Sequence, residues 1–331
     1  MSYKSTNAKV ITNLIRNLVE RENMKILITG IAGFIGSNIG EKLAEDHTII
    51  GIDNLSNGKK NNVENSKIEF HQLDILDLNA LQKICKGIDI ILHQAALASV
   101  TRSVKDPMAT TQANIIGTLN VLLAARDSGV KRVVLASSSS VYGDTPTLPK
   151  KEDMGLNPLS PYALSKMANE IHAKQFYDLY GLETVCLRYF NVFGPKQNPN
   201  SEYAAVIPKF ITKILRNEKL VIYGDGMQTR DFSYVEDVIQ ANSLAMNAPK
   251  NACGKVFNIA GGKTITINEL VEKINKLLNK KIKPSYDKPR PGDITHSYAS
   301  IELAKEYLGY KPKYTVEDGL KETVAWFKGR A

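Results

Sequence analysis

The chain has 331 residues, 43% hydrophobic and 23% charged, enough to bury a large core and to carry a second lobe. Lys and Arg outnumber Asp and Glu by 43 to 34, but the surplus is scattered lysine with short clusters at Lys59-Lys60, Lys150-Lys151 and Lys280-Lys281; without a basic face and interleaved aromatics this excludes nucleic acid and suits anionic small molecules. Cys85, Cys186 and Cys253 have neither metal nor redox spacing and read as reduced packing residues, and the absence of a ~20-residue apolar run or a secretory signal predicts a cytoplasmic protein with no membrane or metal partner.

Residues 1–23 carry Val10, Ile11, Leu14, Ile15, Leu18 and Val19, a spacing that lines one helical face and predicts a helical extension, packed on the main body or docking a partner. From Met24 short β-rich runs alternate with helical stretches: 25–29, 48–52, 67–70, 88–92, 132–135 and 184–187. Continuously apolar strands alternating with helices indicate a parallel sheet covered on both faces, an α/β doubly wound fold.

Directly after the first of these strands come Gly30, Gly33, Phe34, Ile35 and Gly36, then a helical run through Leu43. Glycines three apart let the backbone turn tightly and approach a pyrophosphate, whose charge the helix N-terminus receives. The next strand ends in Asp53, at the separation where an acid meets the adenosine ribose hydroxyls and repels a 2′-phosphate, so NAD is expected over NADP. Asn54, Ser56, Asn57 and Gly58 either cap a helix or line the adenosine pocket, and Asp74, followed by Ile75, is either a turn acid or an adenine contact.

Further along, the strand at 133–136 runs into Ser137, Ser138, Ser139 and Ser140, placing hydroxyls at the carboxyl end of a parallel strand, where open α/β sheets bind ligands. Tyr162 and Lys166 then open a helix after Ser160-Pro161. Four residues apart, phenol and ammonium share one helical face. A lysine and a cationic nicotinamide ring near a phenol favour its phenolate, so Tyr162 can act as general base towards a sugar hydroxyl. After about Asn191 the regularity gives way to Pro- and Gly-containing segments such as Gly194-Pro195 and Pro291-Gly292, which predicts a smaller lobe. We place the NAD-binding domain at 24–190, rejoined by about 232–262, and a substrate lobe at 191–231 and 263–331.

In these motifs the chain resembles the extended short-chain dehydrogenase/reductase family, and within it the UDP-hexose 4-epimerases. The resemblance rests on the three glycines, Asp53-Asn54, His93-Gln94-Ala95-Ala96, Asn114, Ser138 four residues before Tyr142, Tyr162 with Lys166, and the Leu187-Arg188-Tyr189-Phe190-Asn191-Val192-Phe193-Gly194 stretch. It implies that Ser138 shares the hydrogen bond to the reacting oxygen and that Lys166 also holds the nicotinamide ribose. Gln94, Ala95, Ala96, Asn114, Ser137 and Tyr189 then help to line the cofactor site. The implied reaction has Tyr162 take the proton of the sugar's C4 hydroxyl while C4 is oxidised by bound NAD; the 4-keto sugar turns about its diphosphate link and is reduced from the other face.

By the same likeness Asn191, Arg230, Arg290 and Asp293 surround a UDP group, with Ser99, Ser139, Ala205, Val206 and Tyr223 as further substrate contacts. Ser297 falls where the epimerases gate the space beside the sugar C2 group; a small residue there admits N-acetyl. The implied substrates are UDP-GlcNAc and UDP-GalNAc, with UDP-Glc and UDP-Gal as further candidates. The resemblance also implies a homodimer packed through the Tyr162 helix and the preceding helix at 109–128. Three alternatives stand beside this reading. A nucleotide-sugar 4,6-dehydratase would need an Asp-Glu pair where Ser139-Ser140 stand. A UDP-uronic acid 4-epimerase or decarboxylase would use Arg102, expected near the nicotinamide end, as carboxylate partner. An NAD-binding sensor or scaffold would have no use for the Ser138, Tyr162 and Lys166 set.

Overall fold

The structure, a computed structural model, describes residues 23–64, 66–199, 205–289 and 295–329; the expected first helix lies outside them, as do Arg290 and Asp293. All six expected strands form: β1 Lys25–Thr29, β2 Thr48–Asp53, β3 Ile68–Gln72, β4 Ile90–His93, β5 Arg132–Ser138 and β6 Glu183–Tyr189. Smaller strands follow as β7 Val192–Phe193, β8 Val221–Tyr223, β9 Thr229–Asp231 and β10 Ser233–Tyr234, then β11 Lys255–Ile259, β12 Thr264–Thr266 and β13 Ser285–Asp287. β11 joins the first six in one sheet of order β11-β6-β5-β4-β1-β2-β3, every pairing parallel.

Side chains alternate across a strand, so each central strand feeds two cores. Ile26, Ile28, Ile90, Leu92 and Val134 enter the core on one face; Leu27, Ile91, Val133 and Leu135 enter the other. A third core gathers Phe193, Ile207, Phe210, Ile211, Leu270, Ile274 and Leu320 around the segments that follow β6. Helix Ile267–Leu278 within it begins at a capping box between Thr266 and Glu269, which satisfies amides that the first turn leaves unbonded.

Two local features differ from expectation. β5 extends through Ser137 and Ser138, so these hydroxyls sit on the strand itself and their directions are fixed by the sheet. The helix expected at 109–128 is interrupted: helix Pro107–Thr111 passes through a π-helical turn, Gln112–Ile116, into helix Gly117–Asp127. Such turns insert one extra residue and recur at functional sites.

Candidate active site

β1 ends at Thr29, and the chain reverses at Gly30 with φ +70°, a left-handed conformation that costs an L side chain energy. Room is lacking too: a Cβ on Gly30 would lie 2.7 Å from the Ala95 amide nitrogen, and one on Gly36 would lie 2.2 Å from the Gly30 carbonyl oxygen. Gly33 caps helix Phe34–Leu43 with no side-chain hydrogen bond, which leaves the first-turn amides near Phe34, Ile35 and Gly36 to an anionic ligand.

Asp53 closes β2 beside this turn. One carboxylate oxygen accepts the Ala32 amide at 3.0 Å and the other the Leu55 amide at 2.7 Å. Burial raises its pKa, opposed by those same amides. Each oxygen keeps a further lone pair for ribose hydroxyls. Asn54 donates to Asp74 at 2.8 Å and accepts the Ser56 amide at 3.0 Å, while Asp74 accepts the Leu76 amide at 2.9 Å. Asp74 is thus a turn acid that also faces the cleft.

A cavity of about 280 Å³ brings together Gly30, Gly33, Asp53, Asn54, Ser56, Asn57 and Gly58 with Asp74, Ile75, Gln94, Ala95 and Ala96. Its wall also includes Leu97, Arg102, Gln112 and Ala113; apart from Arg102, no sequence motif marks these residues. Arg102 donates to Asn57 at 2.9 Å and faces the same cavity as Asp53, whose lining includes neither Tyr162, Ser138 nor Lys166. A role for Arg102 as carboxylate partner at the nicotinamide end is therefore corrected: it belongs with the adenosine-side loop.

Tyr162 and Lys166 stand on the first turns of helix Pro161–Tyr180, which Ser160 caps by accepting the Ala163 amide at 3.1 Å and Gly181 ends in a left-handed conformation. Lys166 is buried, donates to the Ala136 carbonyl at 2.7 Å, and holds its ammonium 6.0 Å from the Tyr162 ring centroid. Burial pushes its pKa down to about 8, with Cys186 and Glu170 acting the other way. Ser138 accepts both the Ser140 amide at 3.2 Å and the Ser140 hydroxyl at 3.0 Å. Its own proton is left for the nearby Tyr162 phenol. Burial raises the pKa of Tyr162 and the neighbouring Ser138 hydroxyl lowers it; burial prevails. Among the protein's own groups Lys166 does not reverse that balance, so a cation held against the phenol is what brings it down.

Several other candidates are committed to the scaffold. Ser137 was expected at the cofactor, but its hydroxyl donates to Glu170 at 2.5 Å. Glu170 in turn receives two bonds from Arg188, at 2.8 and 2.7 Å, and Arg188 donates to the Tyr142 hydroxyl at 2.7 Å. Asn114 is fully buried and bridges the Leu97 amide and the Ser165 hydroxyl. Tyr189 is buried, donates to Gln94 at 3.3 Å and accepts from Asn242 at 2.9 Å. Ser99 caps helix Val100–Lys105 by accepting the Arg102 amide.

Beyond β6, Asn191 adopts φ 37°, rare for a side-chain-bearing residue and tolerated by Asn. It donates to the Asp231 carbonyl at 2.9 Å and reaches Ser297 at 3.5 Å. Ser297 is half-buried against β9, whose Asp231 amide bonds its carbonyl. Val206, Tyr223 and Arg230 line a single cleft with Lys209 and Lys213, and Ala205 caps the helix that supplies Val206. Ser139 follows Ser138 in a short 3₁₀ turn. Among the described residues no group of three or more His, Cys, Asp or Glu side chains could hold a metal ion, and no helix is long and apolar enough to cross a membrane.

The profile of the NAD dependent epimerase/dehydratase family matches residues 26–260. The chain belongs to this family. It is 44% identical over 306 residues to a putative UDP-glucose 4-epimerase of Methanocaldococcus jannaschii, covering 92% of this chain and 98% of that one. Among solved structures it superposes with TM-score 0.90 and 44% identity on a UDP-N-acetylglucosamine 4-epimerase from Methanobrevibacter ruminantium in complex with UDP-N-acetylmuramic acid, covering 93% and 99% of the two chains. The UDP-glucose 4-epimerase of Thermotoga maritima with UDP-glucose gives TM-score 0.89 at 38% identity, with the same coverage.

The residues present fit the dinucleotide this family uses: a glycine turn with no space for Cβ atoms, an uncapped helix N-terminus and an acid at the end of β2. Gly36→Ala is expected to leave purified protein without NAD, because the contact it forces is with backbone and no side chain can yield. Cofactor per protomer after gel filtration checks this, and wild-type occupancy would contradict the cradle.

Proposed function

We propose that the protein is an NAD-dependent 4-epimerase of UDP-sugars whose principal substrates are UDP-GlcNAc and UDP-GalNAc. The observation that carries the reading is the meeting of Tyr162, Ser138 and Lys166 at the carboxyl end of β5, next to Ser139-Ser140 where an elimination would need acids. When bound, the dinucleotide supplies reversible two-electron oxidation of the sugar's C4 carbon.

The chain's own groups handle the proton and the geometry. Tyr162 Oη takes the proton of the C4 hydroxyl, and the Ser138 hydroxyl donates to the same oxygen as charge develops. The Lys166 ammonium, fixed by the Ala136 carbonyl, steadies the phenolate. Arg230 offers a forked, permanently charged donor to the diphosphate, and Val206 and Tyr223 give the nucleotide an apolar wall. Anchoring the nucleotide while the hexose stays mobile lets the 4-keto sugar present its other face, and Tyr162 then returns the proton. We assign the UDP-sugar to 191–231 and 263–331 and the dinucleotide to the remainder after residue 23.

Ser297 beside Asn191, together with 44% identity to a UDP-N-acetylglucosamine 4-epimerase, supports the N-acetyl preference. Ser297→Tyr is expected to depress UDP-GlcNAc/UDP-GalNAc interconversion by about tenfold or more and UDP-Glc/UDP-Gal interconversion far less, since a phenol ring placed there competes for the C2 substituent's space. Sugar-nucleotide chromatography reads both, and equal losses would remove Ser297 as gatekeeper.

A homodimer in the cytoplasm completes the proposal. Helices Val100–Lys105, Pro107–Thr111 and Pro161–Tyr180 pack together and expose Val104, Met108, Leu164, Ile171 and Leu179, an apolar surface of the kind that a second copy covers.

A further inference from the structure

His93 ends β4 and is 3% exposed, with both ring nitrogens engaged: Nδ1 lies 2.7 Å from the Thr29 hydroxyl and Nε2 lies 2.8 Å from the Thr118 hydroxyl. Counting protons fixes the directions. Thr118 donates its one hydroxyl proton to the Asn114 carbonyl at 2.5 Å, so towards His93 it can only accept, and the ring proton resides on Nε2. Nδ1 then accepts from Thr29, whose oxygen accepts the Ala95 amide at 3.2 Å. Burial, aided by the Lys166 charge, holds the His93 pKa down to about 3, so the ring stays neutral at physiological pH.

The chain of bonds continues past Asn114. Its side-chain oxygen accepts the Leu97 amide at 2.8 Å, its amide donates to Ser165 at 3.0 Å, and Ser165 donates to the Tyr162 carbonyl at 2.7 Å. Asn114 lies in the π-helical turn. One line of directed hydrogen bonds thus runs from the residue before Gly30 to the first turn of the Tyr162 helix. Its branches hold the Ala95 amide, which packs directly on Gly30, and the Leu97 amide.

We infer that His93 is a positioning residue for the dinucleotide: as a neutral, Nε2-protonated hub it sets the spacing between the glycine turn, the Gln94-Ala95-Ala96-Leu97 wall and the helix that carries Tyr162. Gly30, Gln94, Ala95 and Leu97 all line the dinucleotide cavity, so losing the hub moves two walls of one site relative to each other. The inference rests on NAD binding and holds whichever sugar is processed.

The test compares His93→Phe, His93→Gln and Thr29→Val. Phe keeps the ring's bulk and loses both bonds; Gln loses the ring but can accept from Thr29 and donate to Thr118; Val keeps Thr29's shape and loses the hydroxyl. NAD retained per protomer after dialysis, and affinity for re-added NAD, are measured on each purified protein. Phe and Val are expected to weaken NAD by about tenfold or more, with Gln within about threefold of wild type. Wild-type affinity in His93→Phe, or in Thr29→Val should the first fail to fold, overturns the inference. So does His93→Gln binding as poorly as His93→Phe, because the ring then serves only to fill space.

Discussion

Tyr162→Phe is expected to lower turnover by about 10²–10⁴-fold, the usual contribution of a positioned acid–base group, with NAD still bound. Tyr162 is half-buried near Ser138, whose hydroxyl accepts both the amide and the hydroxyl of Ser140. Removing the hydroxyl deletes the proton acceptor and spares the scaffold, so unfolding temperature should hardly change. The pH dependence carries a sign. Burial raises the Tyr162 pKa, and the base acts deprotonated, so the rate rises with pH through that pKa and levels above it. Because a cationic nicotinamide opposes burial, the rise falls at lower pH in NAD-loaded protein than the Tyr162 ionisation in cofactor-free protein. In Tyr162→Phe this limb disappears. A rate or profile matching wild type would reject Tyr162 as the base.

Arg188→Met should be the most destabilising of the changes considered, costing about 3–5 kcal/mol, because it strands a buried carboxylate. Glu170 is 6% exposed and Arg188 3%. Their paired bonds hold the catalytic helix against β6, while the Ser137 hydroxyl ties β5 to the same carboxylate. With the guanidinium gone, Glu170 either stays charged without its partner or takes up a proton; both penalise folding. The companion Glu170→Met/Arg188→Met should recover much of the loss, since no buried charge remains. Urea unfolding of the three proteins checks the ordering; a single variant no less stable than the double would contradict this account of the pair.

The sheet was legible because its evidence is local. Six apolar runs of four or five residues between helical stretches announce buried parallel strands, and all six form. The dinucleotide turn and the Tyr162-Lys166 spacing were legible for the same reason: strand, glycines and helix are consecutive, and two residues four apart share a helical face whatever the tertiary structure. What escaped the sequence depends on distant partners. Glu170 meets Arg188 across 18 residues and His93 meets Thr29 across 64; nothing in a lone helical Glu or a strand-end His distinguishes a buried partner from a solvated one. A run of four serines does not say which hydroxyl faces the cleft; the alternation along β5 turns that of Ser137 to Glu170. The place of Arg102 is likewise set by tertiary structure, because helix Val100–Lys105 turns it towards Asn57, 45 residues earlier in the chain.

The proposed reaction turns on one site that oxidises and re-reduces the same sugar carbon without net consumption of cofactor. Purified protein should therefore convert UDP-GlcNAc to UDP-GalNAc, and the reverse, with no NAD added, both directions reaching one mixture of unchanged molecular mass. Products that lose water or carbon dioxide, or stoichiometric accumulation of NADH, would contradict it.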